Sequence, residues 1–200
     1  LSKPYLNRIP QNEWEWLAVA QHHGLATRLL DWTTNPLTAL WFAVCRPAVK
    51  KANGVIWLFN VLDQQILQPD EIQNISPYQG PLIKVFQPEI STVRIQSQNG
   101  WFTVHKYDEK SKKIISSNPF SRNKNLPEKM KKLVIPYNVF GDLRDELDRL
   151  GVNELSLFQD IDGVASYVEW AHTLLDDEVA EEKVVINLKS PARYSWPQKR

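Results

Sequence analysis

The apolar positions first mark out a helix. In Trp14-Glu-Trp-Leu-Ala-Val-Ala-Gln21, residues Trp14, Leu17 and Ala18 share one face, Gln21 follows one turn on, and Gly24 stands where a stop is expected. Ala26 to Thr33 is short and rich in strand formers. Asn35-Pro36 then predicts a second helix, with Asn as cap and Pro at the first position, where the missing N–H leaves no bond unmade. Leu37, Ala39, Leu40, Trp41, Phe42, Ala43 and Val44 make that helix apolar nearly all round, which predicts a buried position.

Asn53-Gly54 reads as a turn, and Val55 to Val61 as a strand covered on both faces. Leu82 to Phe86, Phe102 to Lys106 and Leu133 to Pro136 are expected strands, with Gly100 a turn before the second. Lys110 to Glu128 reads as a long polar loop. Leu143, Leu147 and Leu150 mark an amphipathic helix closed by Gly151. The pattern then gives a strand at Glu154 to Phe158, a helix from Gly163 to Leu175 and a last strand at Val184 to Leu188. The fold class expected is α+β: a single domain over residues 1–200, with a mixed or mostly antiparallel sheet packed against buried helices.

Composition agrees with a folded chain. Of 200 residues, 42% are hydrophobic and 24% charged, and eight Trp, seven Phe and six Tyr are enough to dominate a core. One cysteine, Cys45, excludes an internal disulfide, and its place among apolar helical residues marks it as core. No apolar run reaches the roughly 20 residues that span a bilayer, so the expected setting is cytoplasmic, with no membrane partner. A formal net charge of +1 demands no nucleic-acid partner and does not exclude one. Basic residues nevertheless gather between Lys106 and Lys132, where a surface loop (107–132) would suit a protein partner. The chain opens at Leu1 without Met, which suggests a preceding segment.

The densest polar cluster, Gln21 to Pro36, lies between two apolar helices. The helix starting near Asn35 presents free N–H groups and the positive end of its dipole. Arg28 can grip a phosphate or carboxylate with two N–H groups. His22 and His23 titrate near neutral pH, although they equally suit bonds to backbone carbonyls. Asp31 and Arg28 are as compatible with a buried ion pair as with a site, and Trp32 reads first as a core ring. Metal binding is not expected: adjacent helical side chains diverge by about 100°, and no ligand follows at zinc spacing. A second cluster joins Arg94, Gln98 and His105 around Gly100. In a third, Asp162 suits the cap of the following helix, leaving Asp160 for a salt bridge or a site.

Three segments together resemble the FRG domain family. They are Trp16-Leu17-Ala-Val-Ala-Gln21-His22-His23-Gly24-Leu-Ala-Thr27-Arg28-Leu29-Leu30-Asp31-Trp32-Thr33 with Asn35-Pro36 and Ala39 to Ala43; Arg94-Ile95, Gln98, Gly100, Phe102 and His105; and Leu157-Phe158-Gln-Asp160 with Asp162-Gly163. Gln159 departs from the Pro usual in the family. The aromatic-Arg-Gly triplet that names the family is absent, so the expectation is an FRG-like domain lacking its N-terminal segment.

The order of elements further resembles Arg-Ser-Glu type ADP-ribosyltransferases. That resemblance implies NAD as substrate, with no other cofactor named, Thr33 in the supporting hydroxyl role, and Glu154 or Asp160 as the late carboxylate. Residues implied in chemistry are Arg28, Asp31, Thr33, His23 and Asp160. Those implied in ligand binding are Gln21, His22, Trp32, Asn35, Arg94, Gln98 and His105. The activity expected is that of an NAD-using transferase or glycohydrolase effector of bacterial toxin or antiphage defence. The alternative is a non-catalytic module that binds a nucleotide or a partner.

Overall fold

A computed structural model describes residues 9–78, 84–88, 93–104, 107–108, 113–114 and 130–178. The expected strand at 184–188 and most of the basic loop lie outside these residues. The chain resolves into two compact units, one comprising Leu1–Thr34 with Trp57–Lys132, the other Asn35–Ile56 with Leu133–Arg200. The class is α+β with antiparallel pairing, as the periodicity predicts.

In the first unit, helix α1 (Glu13–His22) starts at Asn12, whose Oδ1 accepts from Glu15 N at 2.9 Å. It ends at His23, followed by Gly24 at φ +77°, a conformation glycine adopts without a Cβ clash. Strands β1 (Leu29–Thr33), β3 (Lys84–Phe86) and β4 (Gly100–Val104) form a sheet in the order β1-β4-β3, antiparallel throughout. The register sets Leu29 opposite Val104, Asp31 opposite Phe102 and Thr33 opposite Gly100. Residues directly opposite share a face, so Leu29, Val104, Phe102 and Phe86 join Trp14, Leu17 and Ala18 in one core. Trp14 meets Phe86 edge-on at 5.1 Å, and its indole N–H donates to Ile75 O at 2.8 Å.

Phe102, Thr103 and Val104 are all buried, because β4 is the central strand and both its faces are covered. The turn before it is made by Asn99 (φ 48°), while Gly100 already belongs to the strand. Short helices α3 (Pro69–Asn74) and α4 (Val93–Ser97) complete this unit, with a two-residue antiparallel pair, β5 (Tyr107–Asp108) and β6 (Lys113–Ile114), where only loop was expected.

In the second unit, helix α2 (Pro36–Val44) is capped by Asn35 Oδ1, which accepts from Leu37 N at 3.0 Å, as read from Asn-Pro. Its burial is narrower than its composition predicts. Thr38, Trp41 and Val44 are buried on one stripe, whereas Phe42 is 47% exposed. Helix α5 (Phe140–Arg149) packs on α2. Its Leu147 (1% exposed) joins Trp41, Val44, Ile135, Phe140 and Leu157 in a second core.

Strand β2 (Gly54–Phe59) pairs with β7 (Met130–Ile135). It is not covered on both faces: Val55, Trp57 and Leu58 are exposed, so its apolar run does not mark a fully enclosed strand.

The expected strand at Glu154–Phe158 is a helix, α6. Leu155 and Leu157 alternate as in a strand, but capping decides the outcome. Asn153 Oδ1 accepts from Ser156 N at 2.9 Å, and Ser156 Oγ accepts from Asn153 N at 3.0 Å. Helix α7 (Ile161–His172) follows and is capped by Asp160, not Asp162: Asp160 Oδ1 accepts from Gly163 N at 2.7 Å. Gly163 is needed for the packing of α7 on α6, since a Cβ there would lie 2.9 Å from Phe158 Cβ. Between the helices Gln159 takes φ 52°, a conformation closed to proline, so this turn differs from one built on the family's Pro.

Candidate functional site

The candidate site grows from the edge strand β1 and the end of α1. Alternation puts Leu29, Asp31 and Thr33 on one face. Leu29 is buried in the core, whereas Asp31 is exposed at the sheet edge. The last turn of α1 brings Gln21 to it: Gln21 Nε2 donates to Asp31 Oδ2 at 3.0 Å. Gln21 Oε1 accepts from Thr27 Oγ1 at 2.5 Å, and Thr27 Oγ1 in turn accepts from Leu29 N at 3.0 Å.

The chain of bonds runs in one direction, from backbone N–H through hydroxyl and amide to carboxylate. It therefore fixes Gln21 with its oxygen toward Thr27 and its N–H toward Asp31. Asp31 remains an oriented, solvent-facing acceptor.

Arg28 is half-buried and held elsewhere. Its guanidinium carbon lies 5.1 Å from the centre of the Tyr78 ring, and Nη1 donates to Pro77 O at 3.4 Å. Arg28 and Asp31 are not sealed together inside the core. Thr33 Oγ1 donates to Gln98 O at 2.6 Å, which ties the end of β1 to the turn before β4. On the opposite face, Trp32 Nε1 donates to Thr103 Oγ1 at 3.0 Å, and its ring leans on Phe59 at 5.5 Å. This bond satisfies the hydroxyl of Thr103, which is buried. His22 and His23 stand edge to face, with ring centres 5.0 Å apart.

Gln21, Arg28, Asp31, Trp32, Thr33 and Gln98 thus gather around β1. Arg94, on α4, is half-buried in the same unit, and its carbonyl accepts from Gln98 N at 3.1 Å. His105 lies outside the described residues. Asn35 and Asp160 belong to the second unit, where each caps a helix. Among the described residues, no group of three His, Cys, Asp or Glu is placed to hold a metal ion.

Sequence reading missed Tyr78, about fifty positions from the arginine it carries, because no local pattern connects them. It also missed the role of Thr27, although that residue lies inside the cluster, six positions from Gln21. In the second unit it passed over Arg144, which is 3% exposed. Arg144 donates to Glu178 Oε1 at 2.8 Å, to Val44 O at 2.7 Å and to Asp177.

Two acidities shift in that unit. Burial, aided by Glu154, pushes the Cys45 thiol up despite Arg46. Burial and the neighbouring Glu169 raise the Glu154 carboxyl, while Arg46 opposes them.

Neither the curated proteins nor the solved structures include a match to this chain. Residues 1–52, which supply Gln21, Arg28, Asp31 and Thr33, match the family model of the FRG domain, the family that the residues themselves resemble.

Proposed function

We propose that the surface built by Gln21, Arg28, Asp31 and Thr33 binds a nucleotide, that this nucleotide is NAD, and that the domain cleaves it as an effector of toxin or antiphage-defence type. The observation that carries the reading is the directed bond chain ending on Asp31. A carboxylate oriented by an amide and left open to solvent accepts hydrogen bonds from paired ribose hydroxyls, as acidic residues do in other dinucleotide sites. Arg28, its guanidinium carbon 5.1 Å from the centre of the Tyr78 ring, supplies a planar donor for phosphate.

In the reaction, the bond between ribose C1′ and the nicotinamide nitrogen breaks and its electron pair leaves with nicotinamide. Water or an acceptor hydroxyl then adds to C1′ and releases a proton. A nearby carboxylate stabilises the positive charge that develops on the ribose ring.

One observation favours the alternative, a module that binds without cleaving. Of the two late carboxylates implied by the resemblance, Asp160 is engaged in capping α7. Calorimetric titration with NAD and with ADP-ribose, alongside an assay for released nicotinamide, separates the readings. Saturable binding lost in Asp31→Asn, with nicotinamide release, supports the enzyme. Binding without release leaves the module, and no binding of either ligand ends both.

A further inference from the structure

NAD carries two riboses, and the surroundings of Asp31 decide which of them it suits. Asp31 is exposed, on an edge strand of the sheet. A carboxylate stabilises a developing cation best where water is excluded, because water screens the charge. An exposed carboxylate is therefore poorly placed for the ribose whose C1′ bond breaks. It is well placed to grip a ribose that does not react, the one attached to adenine.

The same surroundings decide what that grip tolerates. Asp31 Oδ2 accepts from the Gln21 amide at 3.0 Å, and this donor is neutral. Thr27 Oγ1 occupies the amide oxygen, which keeps the N–H side turned to Asp31. Among the described residues, no Lys or Arg forms an ion pair with Asp31. Arg28 is drawn instead to the Tyr78 ring and the Pro77 carbonyl. Asp31 thus offers a negative charge and acceptor lone pairs with no cation bonded to it.

Resting on the nucleotide reading above, we infer that Asp31 holds the adenosine ribose through its hydroxyls, and that this contact selects NAD against NADP. A 2′ hydroxyl donates to the carboxylate. A 2′ phosphate has lost that donor and brings a charge near −2 at neutral pH against a carboxylate of the same sign. Gln21 and Thr27 act as positioning residues, since they hold Asp31 without neutralising it.

The test is calorimetric titration of the full chain with NAD, NADP and nicotinic acid adenine dinucleotide, which carries its extra charge at the opposite end of the molecule. NADP is expected to bind about tenfold more weakly than NAD, and the nicotinic acid form within about threefold of it. The gap between NAD and NADP should narrow as salt is raised. Gln21→Arg, which sets a cation against Asp31, should bring the two within about threefold of each other. The salt series on the parent reads the same effect should that variant not fold. Equal affinity for NAD and NADP, with NAD binding still lost in Asp31→Asn, overturns the assignment and leaves the nucleotide reading standing. Discrimination against the nicotinic acid form instead puts Asp31 at the reacting ribose and also overturns it. So does a preference for NAD that neither salt nor Gln21→Arg alters. No binding of any of the three dinucleotides ends the nucleotide reading and this assignment together.

Discussion

Replacing Arg144 should unfold the second unit more readily than any substitution on its surface. The side chain is 3% exposed, and its partner Glu178 is 5% exposed. Arg144→Leu keeps most of the volume but removes the donors to Glu178, Asp177 and the Val44 carbonyl. What remains is a buried carboxylate without its counter-charge and an unmet backbone acceptor. Breaking one side of a buried ion pair costs about 3–5 kcal/mol.

Arg144→Lys keeps the charge but not the planar fork, and should lose about 1–3 kcal/mol with the hydrogen bonds it cannot remake. The pair Arg144→Leu with Glu178→Gln removes the stranded charge along with its partner, and should be more stable than Arg144→Leu alone. Urea unfolding followed by tryptophan fluorescence reads these differences, with the slope checked for each variant because two units need not unfold together. An Arg144→Leu protein within about 1 kcal/mol of the parent would refute the reasoning, since that is the range of a solvated surface pair. A double variant no more stable than Arg144→Leu would do the same.

Three further outcomes are expected. Asp160→Ala should cost about 1 kcal/mol of stability through the lost cap, while Asp162→Ala should change little in the same urea assay. Thr38 Oγ1 is buried with no hydrogen-bond partner among the described residues, so Thr38→Val should stabilise the chain by about 1 kcal/mol in thermal or urea unfolding. Burial holds the Glu154 carboxyl above the usual carboxylate range in the fold, so its contribution is full below the unfolded pKa and is lost as pH rises through the folded one. Glu154→Gln should therefore gain stability relative to the parent as pH rises above the ordinary carboxylate range, about 4, and a difference that stays flat as pH rises would count against the shift.

The sequence spoke most clearly where a local rule acts alone. Asn35-Pro36 opens α2 and Gly24 ends α1 because capping and a left-handed glycine depend on few neighbours. It misled where two local rules compete. Alternating Leu155 and Leu157 suggest a strand, yet the reciprocal Asn153–Ser156 bonds nucleate α6. Of two aspartates near α7, the choice of cap turns on the exact first residue of the helix, which periodicity does not fix.

Burial was overestimated for Phe42 and Trp57, since apolar composition does not say how many neighbours are available to cover a surface. At the candidate site, Gln21, Thr27 and Asp31 lie within one loop of each other, so the cluster was legible as a group. Arg28 on Tyr78 and Thr33 on Gln98 are long-range pairings that no local pattern encodes. Arg144 sits in a helix whose pattern reads as amphipathic and polar, and the distant Asp177, Glu178 and Val44 carbonyl turn it inward.

The most direct test of the nucleotide-binding surface is an ¹⁵N spectrum of the isotopically labelled protein titrated with NAD. The prediction is saturable movement of the Gln21 side-chain amide and of the Thr27, Asp31 and Trp32 signals, abolished by Asp31→Asn while the fold is retained. Undisturbed signals at millimolar NAD, or shifts that map elsewhere and survive Asp31→Asn, would contradict it.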